Sequence, residues 1–312
     1  MRRMEMRGAS IRPYLRLCKL RISLLASATA LAGAMLGSPR LSGRLLIPWL
    51  GVLILACGAS ALNQAQEWKI DAGMERTRRR PVPAGIIPPV RALGFAGLLM
   101  ALGLTILAVG EPGAAMLGIF AVVWYNGAYT RLKRVSAWAA VPGALTGAVP
   151  PAIGWVSAGG SLAHPRLLMV CLLLFIWQVP HFWLFLLDRS REYTRAGLPA
   201  LTDILSGAQI RRIVSLWVMG TAACALLVSL SRLVYAPGAR YALLAVSLWL
   251  SFQGIRFRLQ PRGAGLNLFR TLNLFLVFFL LILCLSRLPA LRGPSATQAL
   301  TSVAVATAES PR

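Results

Sequence analysis

Long apolar runs, broken by short basic or Pro/Gly-rich connections, make up most of the chain. Nine of them, at roughly 22–38, 45–65, 92–110, 113–130, 138–157, 165–187, 213–231, 240–255 and 271–288, approach or reach the length of a membrane span. A hydrocarbon core is crossed by about 20 residues of helix. Only helices and closed barrels satisfy their backbone polar groups there. The pattern therefore predicts an all-α polytopic membrane protein of nine transmembrane helices. Residues 1–21 read as an N-terminal tail, 22–288 as the membrane domain, and 289–312 as a small, polar tail predicted to be disordered.

Composition narrows this reading. Of the 312 residues, 57% are hydrophobic and 13% charged, which leaves no room for a large soluble domain. In a soluble protein a net charge of +24 would point to nucleic acid. Here the N-terminal tail and the loops after the second, fourth, sixth and eighth spans hold 25 of the 33 Lys and Arg residues. That bias places the N-terminus in the cytoplasm and the C-terminus outside, and it turns the basic loops toward anionic lipid rather than nucleic acid. The five cysteines show no metal-ligand spacing, and four of them, all but Cys18, lie in apolar runs, so they read as packing residues.

The polar residues at two span ends carry the candidate chemistry. Asn63, Glu67 and Asp71 recur every fourth residue, which keeps them on one helix face with a drift of about 40° per step. Arg76, Arg78, Arg79 and Arg80 follow. Asp188 and Glu192 close the sixth span at the same spacing, followed by Arg195, a glycine and a proline. Both clusters end even-numbered spans, so both open on the cytoplasmic side and can face one cavity. Their shared plan hints at a weak internal duplication. After the fourth span come Trp124, Tyr125, Asn126, Tyr129, Arg131, Lys133 and Arg134, then a Pro/Gly-rich span with Pro142, Pro150 and Pro151.

Hard oxygen donors beside guanidiniums suit a magnesium-bound diphosphate. Asn63, Glu67 and Asp71 are expected to hold one ion, and Asp188 with Glu192 a second. Arg76, Arg78, Arg80, Lys133 and Arg134 are the expected clamps on diphosphate oxygens. A neutralised diphosphate is a good leaving group. If it carries an allylic chain, the aromatic faces of Trp124, Tyr125 and Tyr129 can stabilise the cation left behind. Each feature has a plainer alternative: an acid at a span end is often interfacial, aromatics form belts, and arginine runs mark inside loops. His181, after Pro180, reads on spacing alone as a packed histidine, and His164 lies on the outer side.

The stretches KLRISLLASATALAGAML, ALNQAQEWKIDAGMERTRRRPVPAG, YTRLKR, GALTGAVPPAIGW and VPHFWLFLLDRSREYTRAGLPAL, in this order from Lys19 to Leu201, resemble the UbiA superfamily of intramembrane prenyltransferases. The PPAIGW and PHFW pieces resemble its haem branch. The resemblance implies a bundle of nine helices around a central cavity in a bacterial cytoplasmic membrane. It implies two Mg2+ ions and transfer of farnesyl from farnesyl diphosphate to a vinyl group of protohaem IX, with water completing the side chain. Haem o made this way would serve terminal oxidases, directly or after a haem a synthase acts on it. It also implies that His181 contacts the porphyrin, and that Asn63, Glu67, Asp71, Asp188, Glu192 and Tyr129 form the catalytic set. Three positions depart from the family pattern: Lys69 and Arg191 stand where acids are usual, and Ala139 where Asn is frequent. These departures keep two alternatives in view: another aromatic acceptor, or a carrier of haem or isoprenoid without catalysis.

Overall fold

A computed structural model describes residues 11–38, 42–231, 233–234, 236–259 and 265–287. The expected disordered tail at 289–312 lies outside the described residues. Among these residues every regular element is helical. The order is α1 (Ile11–Leu17), α2 (Leu20–Gly37), α3 (Leu46–Ala72), α4 (Pro89–Gly110), α5 (Pro112–Val122), a π-helical segment (Val123–Tyr129) and α6 (Thr130–Leu132). It continues through α7 (Ala140–Gly143), α8 (Leu145–Ser157), α9 (Pro165–Leu187), α10 (Ser190–Arg195), α11 (Gly207–Leu230), α12 (Pro237–Leu259) and α13 (Gly265–Leu285).

Seven helical stretches are long and apolar enough to cross a membrane. They coincide with seven of the nine expected spans. The other two expected spans are helical but do not qualify by length and composition. The fourth is split between α5 and the π-helical segment, and the eighth, α12, carries Arg240, Arg256 and Arg258.

Several helices start with proline at the first position, where the missing N–H is no loss: Pro89, Pro112 and Pro165 do so for α4, α5 and α9. Glu111 closes α4 and accepts from the Gly113 amide at 3.4 Å, so the reversal into α5 needs one residue.

Packing follows small residues. A Cβ at Gly33 of α2 would stand 2.0 Å from the Pro151 carbonyl oxygen, and one at Gly154 of α8 would stand 1.8 Å from that of Ala30. The two backbones therefore touch, as small residues permit between helices in lipid. One large core joins α9, α11, α12 and α13 through Trp183, Val214, Leu250, Phe275 and Phe279. A second lies between α3, α4, α5 and α8, and a third seats Leu17 of α1 against Ala61 and Ala65 of α3. Large apolar side chains such as Val90, Val109, Met116, Leu230 and Phe252 face outward, as a lipid-facing surface requires. Arg287, just past α13, donates to the Met35 and Ser38 carbonyls and so fastens the last helix to the end of α2.

Candidate active site

The last turns of α3 bury three polar side chains, Asn63, Glu67 and Asp71, each no more than 5% exposed. Buried charge is costly unless paired, and each of the three has a basic partner from elsewhere in the chain. Lys19 donates from Nζ to Asn63 Oδ1 at 3.1 Å. Lys133 pairs with Glu67, whose Oε2 also accepts from Asn63 Nδ2 at 2.8 Å. Arg80 pairs with Asp71 Oδ2 at 2.7 Å. Three basic side chains thus stand on the oxygens of one helix face.

Each cation is positioned by its local backbone. Lys19 is the one non-glycine residue with positive φ among the described residues, at φ 45° and ψ 50°. That left-handed conformation is strained for a side chain of this kind and is found where a site demands it. It divides α1 from α2 and aims the ammonium at Asn63. Gln64 secures the same corner by donating to the Leu17 carbonyl at 2.8 Å. Burial, with Arg80 and Lys133 close by, pushes the Lys19 pKa down to about 7. The turn after α3 folds back through Thr77, whose hydroxyl donates to the Asp71 carbonyl at 2.8 Å, and so returns Arg80 to Asp71.

The π-helical segment supplies the aromatic wall. Its wider turns are a recurrent feature of functional sites. Asn126 ties it to α3 by donating to the Ala59 carbonyl at 3.0 Å, and Thr130 places its hydroxyl 3.3 Å from Asn63 Nδ2. Tyr129 stacks between Tyr125 and Phe182, with both centroid distances at 6.0 Å. The Lys133 ammonium lies 5.7 Å from the same Tyr129 ring. Gly143 makes room for it: a Cβ there would come within 2.5 Å of the Tyr129 ring carbons.

His181 sits in a cradle of rings: Trp177 at 4.7 Å, Phe269 at 4.9 Å and Phe182 at 5.9 Å. Its Nδ1 is buried without a partner. Arg76 and Arg189 both stand over the Phe185 ring, at 5.5 and 4.2 Å. Arg76 and the run 187–192 line an open cavity of about 550 Å³.

The structure brings Asn63, Glu67, Asp71, Arg80, Lys133 and Tyr129 together. Others have different partners or stand exposed. Arg78 is exposed and 3.9 Å from Glu75, and Arg134 is exposed and donates to the Gln66 carbonyl at 3.2 Å. Trp124 donates to the Pro142 carbonyl and stacks on Phe120. Asp188 is 56% exposed at its side chain and pairs with Arg189 at 3.4 Å. Among the described residues no three of His, Cys, Asp and Glu converge as a metal-binding group. Lys69 is exposed and lies 5.7 Å from the Trp68 ring, off the face of Glu67 and Asp71. Sequence reasoning missed Lys19, Thr130 and Arg189. Lys19 was detectable as the lysine that opens the first span, but its strained turn was not.

The profile of the UbiA prenyltransferase family matches residues 23–283. This chain belongs to that family. Among curated UbiA relatives, the protoheme IX farnesyltransferase of Geobacter sulfurreducens is 41% identical over 207 residues, covering 66% of this chain and 77% of the relative. The protoheme IX farnesyltransferase of Oleidesulfovibrio alaskensis is 32% identical over 275 residues, covering 87% of this chain and 95% of the relative. The fold is likewise that of solved UbiA-type structures. A digeranylgeranylglyceryl phosphate synthase superposes with TM-score 0.72 at 15% identity, covering 89% of this chain and 98% of that one. A UbiA homologue from Archaeoglobus fulgidus bound to GPP and Mg2+ superposes with TM-score 0.64 at 15% identity, covering 87% of this chain and 99% of that one. The protein is an integral membrane prenyltransferase of the UbiA type.

Proposed function

We propose that this protein transfers the farnesyl group of farnesyl diphosphate to a vinyl group of protohaem IX and so makes haem o. The observation that carries the reading is the row of three buried polar side chains on α3, each held by a basic side chain, next to stacked Tyr125 and Tyr129. The names of the relatives supply the acceptor.

The donor set fits magnesium. Asn63, Glu67 and Asp71 offer hard oxygens on one face, and basic side chains stand against those oxygens in this structure. Asn63, Glu67 and Asp71 would hold one ion, and Asp188 with Glu192 a second. Bound there, magnesium supplies the charge that makes a diphosphate a good leaving group. The basic side chains of Lys19, Arg80 and Lys133, with Arg76 close by, would donate to the phosphate oxygens. The C–O bond of the prenyl diphosphate breaks, and the allylic cation faces the rings of Tyr125 and Tyr129. The terminal vinyl carbon of the porphyrin forms the new C–C bond. Water adds to the neighbouring carbon and releases a proton. The cradle around His181 takes the porphyrin plane. Donor and acceptor both partition into the bilayer, where the bundle excludes water from the cation.

The membrane is the bacterial cytoplasmic membrane, with the N-terminus and both acidic motifs on the cytoplasmic side; the distribution of Lys and Arg supports this orientation. The product suits terminal oxidases, directly or through a haem a synthase. The test is to incubate membranes containing the protein with haem b, farnesyl diphosphate and magnesium. Mass spectrometry should find a haem heavier by one farnesyl and one water, formed only with the metal. Folded protein that yields no such product, but prenylates an aromatic acid, would overturn the acceptor.

A further inference from the structure

Gln178 is a polar residue inside a membrane span. It lies on α9, about two and a half turns before the helix ends at Leu187. His181 and Phe182 follow three and four residues later, so the three share a face. Phe182 stacks on Tyr129, which turns that face toward the aromatic wall. Gln178 Nε2 donates to Thr146 Oγ1 of α8 at 3.2 Å, and the Thr146 hydroxyl donates to the Gly143 carbonyl at 2.8 Å. Gly143 is the residue against which the Tyr129 ring rests.

These two bonds fix which way the amide points. The Thr146 proton is committed to Gly143, so Thr146 can only accept from Gln178. The amide therefore turns its nitrogen to Thr146 and its oxygen away. Gly147 leaves the space for that oxygen: a Cβ there would stand 1.7 Å from Gln178 Oε1. Among the described residues no donor bonds to Oε1. Nor is the oxygen closed off, unlike the buried and unpartnered His181 Nδ1 and Trp183 Nε1, and Gln178 is only partly buried. Gln178 thus keeps an open acceptor within the membrane-spanning part of the bundle. The Nε2 bond by itself serves to join α8 to α9, and a polar group left open at this depth points to function.

Farnesyl transfer to a vinyl group needs one water in a place that otherwise excludes it. When the vinyl π pair forms the new C–C bond, positive charge moves to the carbon attached to the porphyrin. That cation has two exits. It can lose a proton from the new CH2 group and become an alkene, or it can take the oxygen of a water and become the alcohol. In both cases the proton goes to the diphosphate that has left, the base that the reaction itself supplies. We propose that Gln178, held by Thr146, binds the water that captures this cation and so selects the hydrated product. Gln178 Oε1 accepts one O–H of that water, which leaves a lone pair on the water oxygen free to form the C–O bond. An amide oxygen suits the task, because it orients water without being basic enough to take the proton from the cation. The inference rests on the acceptor reading above and names the residue that places the second reactant.

The test incubates the purified full chain in nanodiscs with haem b, farnesyl diphosphate and magnesium. Mass spectrometry reads the ratio of farnesylated haem with added water to farnesylated haem without it. The wild type should make the hydrated product almost alone. Gln178→Met keeps the side-chain volume but removes the acceptor, and should lower the ratio at least ~10-fold. Thr146→Val frees the amide to turn and should lower the ratio by less. A folding defect slows both products together and leaves the ratio where it was. A Gln178→Met variant with the wild-type ratio overturns the proposal. If that variant makes no porphyrin product, Thr146→Val decides, and a wild-type ratio or no product there overturns it as well. A wild type that farnesylates haem without adding water refutes the water site alone. A wild type that leaves haem unchanged refutes the acceptor reading, an outcome distinct from the others.

Discussion

Lys133 and Glu67 form an ion pair that joins the turn after the π-helical segment to the last turns of α3, with Glu67 almost fully buried. The same lysine lies over the Tyr129 ring. One side chain therefore links the acidic row on α3 to the aromatic wall. Lys133→Met should keep the wall but strip Glu67 of its counter-ion and the diphosphate of a donor. The expected result is a fall in kcat of about 100-fold or more, in line with loss of a charged group that stabilises a transition state. Steady-state assay with haem b and farnesyl diphosphate checks it, and retention of more than half the wild-type rate would remove Lys133 from the site.

Arg80→Lys separates charge from geometry at Asp71. Removing the cation outright would leave a buried carboxylate unpaired, at about 3–5 kcal/mol. Lysine keeps the charge but lacks the fork. The protein should fold with nearly unchanged thermal stability, and KM for farnesyl diphosphate should rise about 10-fold with a smaller change in KM for haem. Equal rises in both KM values would mean that Arg80 shapes the whole cavity rather than the diphosphate end.

Gly143→Val tests the seat of Tyr129. The added carbons have no room beside that ring, so the ring must leave its stack between Tyr125 and Phe182. Turnover should fall at least ~10-fold while binding of the prenyl diphosphate is kept, because the ring is used after the diphosphate departs. Isothermal titration with a non-reacting diphosphate analogue distinguishes this from loss of the fold.

Gly154→Val addresses the α2–α8 contact. Its Cβ would overlap a backbone carbonyl, which cannot turn aside as a flexible side chain can. Overpacking of this kind costs about 1–3 kcal/mol or more. A clear drop in the thermal unfolding midpoint in detergent is expected. An unchanged midpoint would show that the two helices separate freely.

Lys19→Gly relieves the left-handed backbone but removes the ammonium from Asn63. Glycine escapes the penalty of about 1–2 kcal/mol that a side chain meets in this conformation but adds freedom to the unfolded chain, so stability should stay level or rise by about 1 kcal/mol while activity falls. A variant that keeps its activity would show that the strained turn serves only the chain reversal between α1 and α2.

The chain by itself determined the helical class, most of the spans and the shared face of Asn63, Glu67 and Asp71. Each of these is a local property. Apolar length decides whether a segment enters lipid, and the four-residue spacing of Asn63, Glu67 and Asp71 fixes their shared face before anything packs on it. The Lys69 departure was legible in the same way, because two further residues around the turn carry it off that face. Tertiary structure alone decided which cations meet those oxygens. Lys19 and Lys133 are 44 and 66 positions from their partners, and nothing in the loop composition distinguishes Lys133 from Arg134, which lies exposed beside it. It also decided that Asp188 points to Arg189 while the arginines around it line one mouth. Helical periodicity ends with the helix, and beyond it the direction of a side chain is set by the contacts that the bundle leaves open.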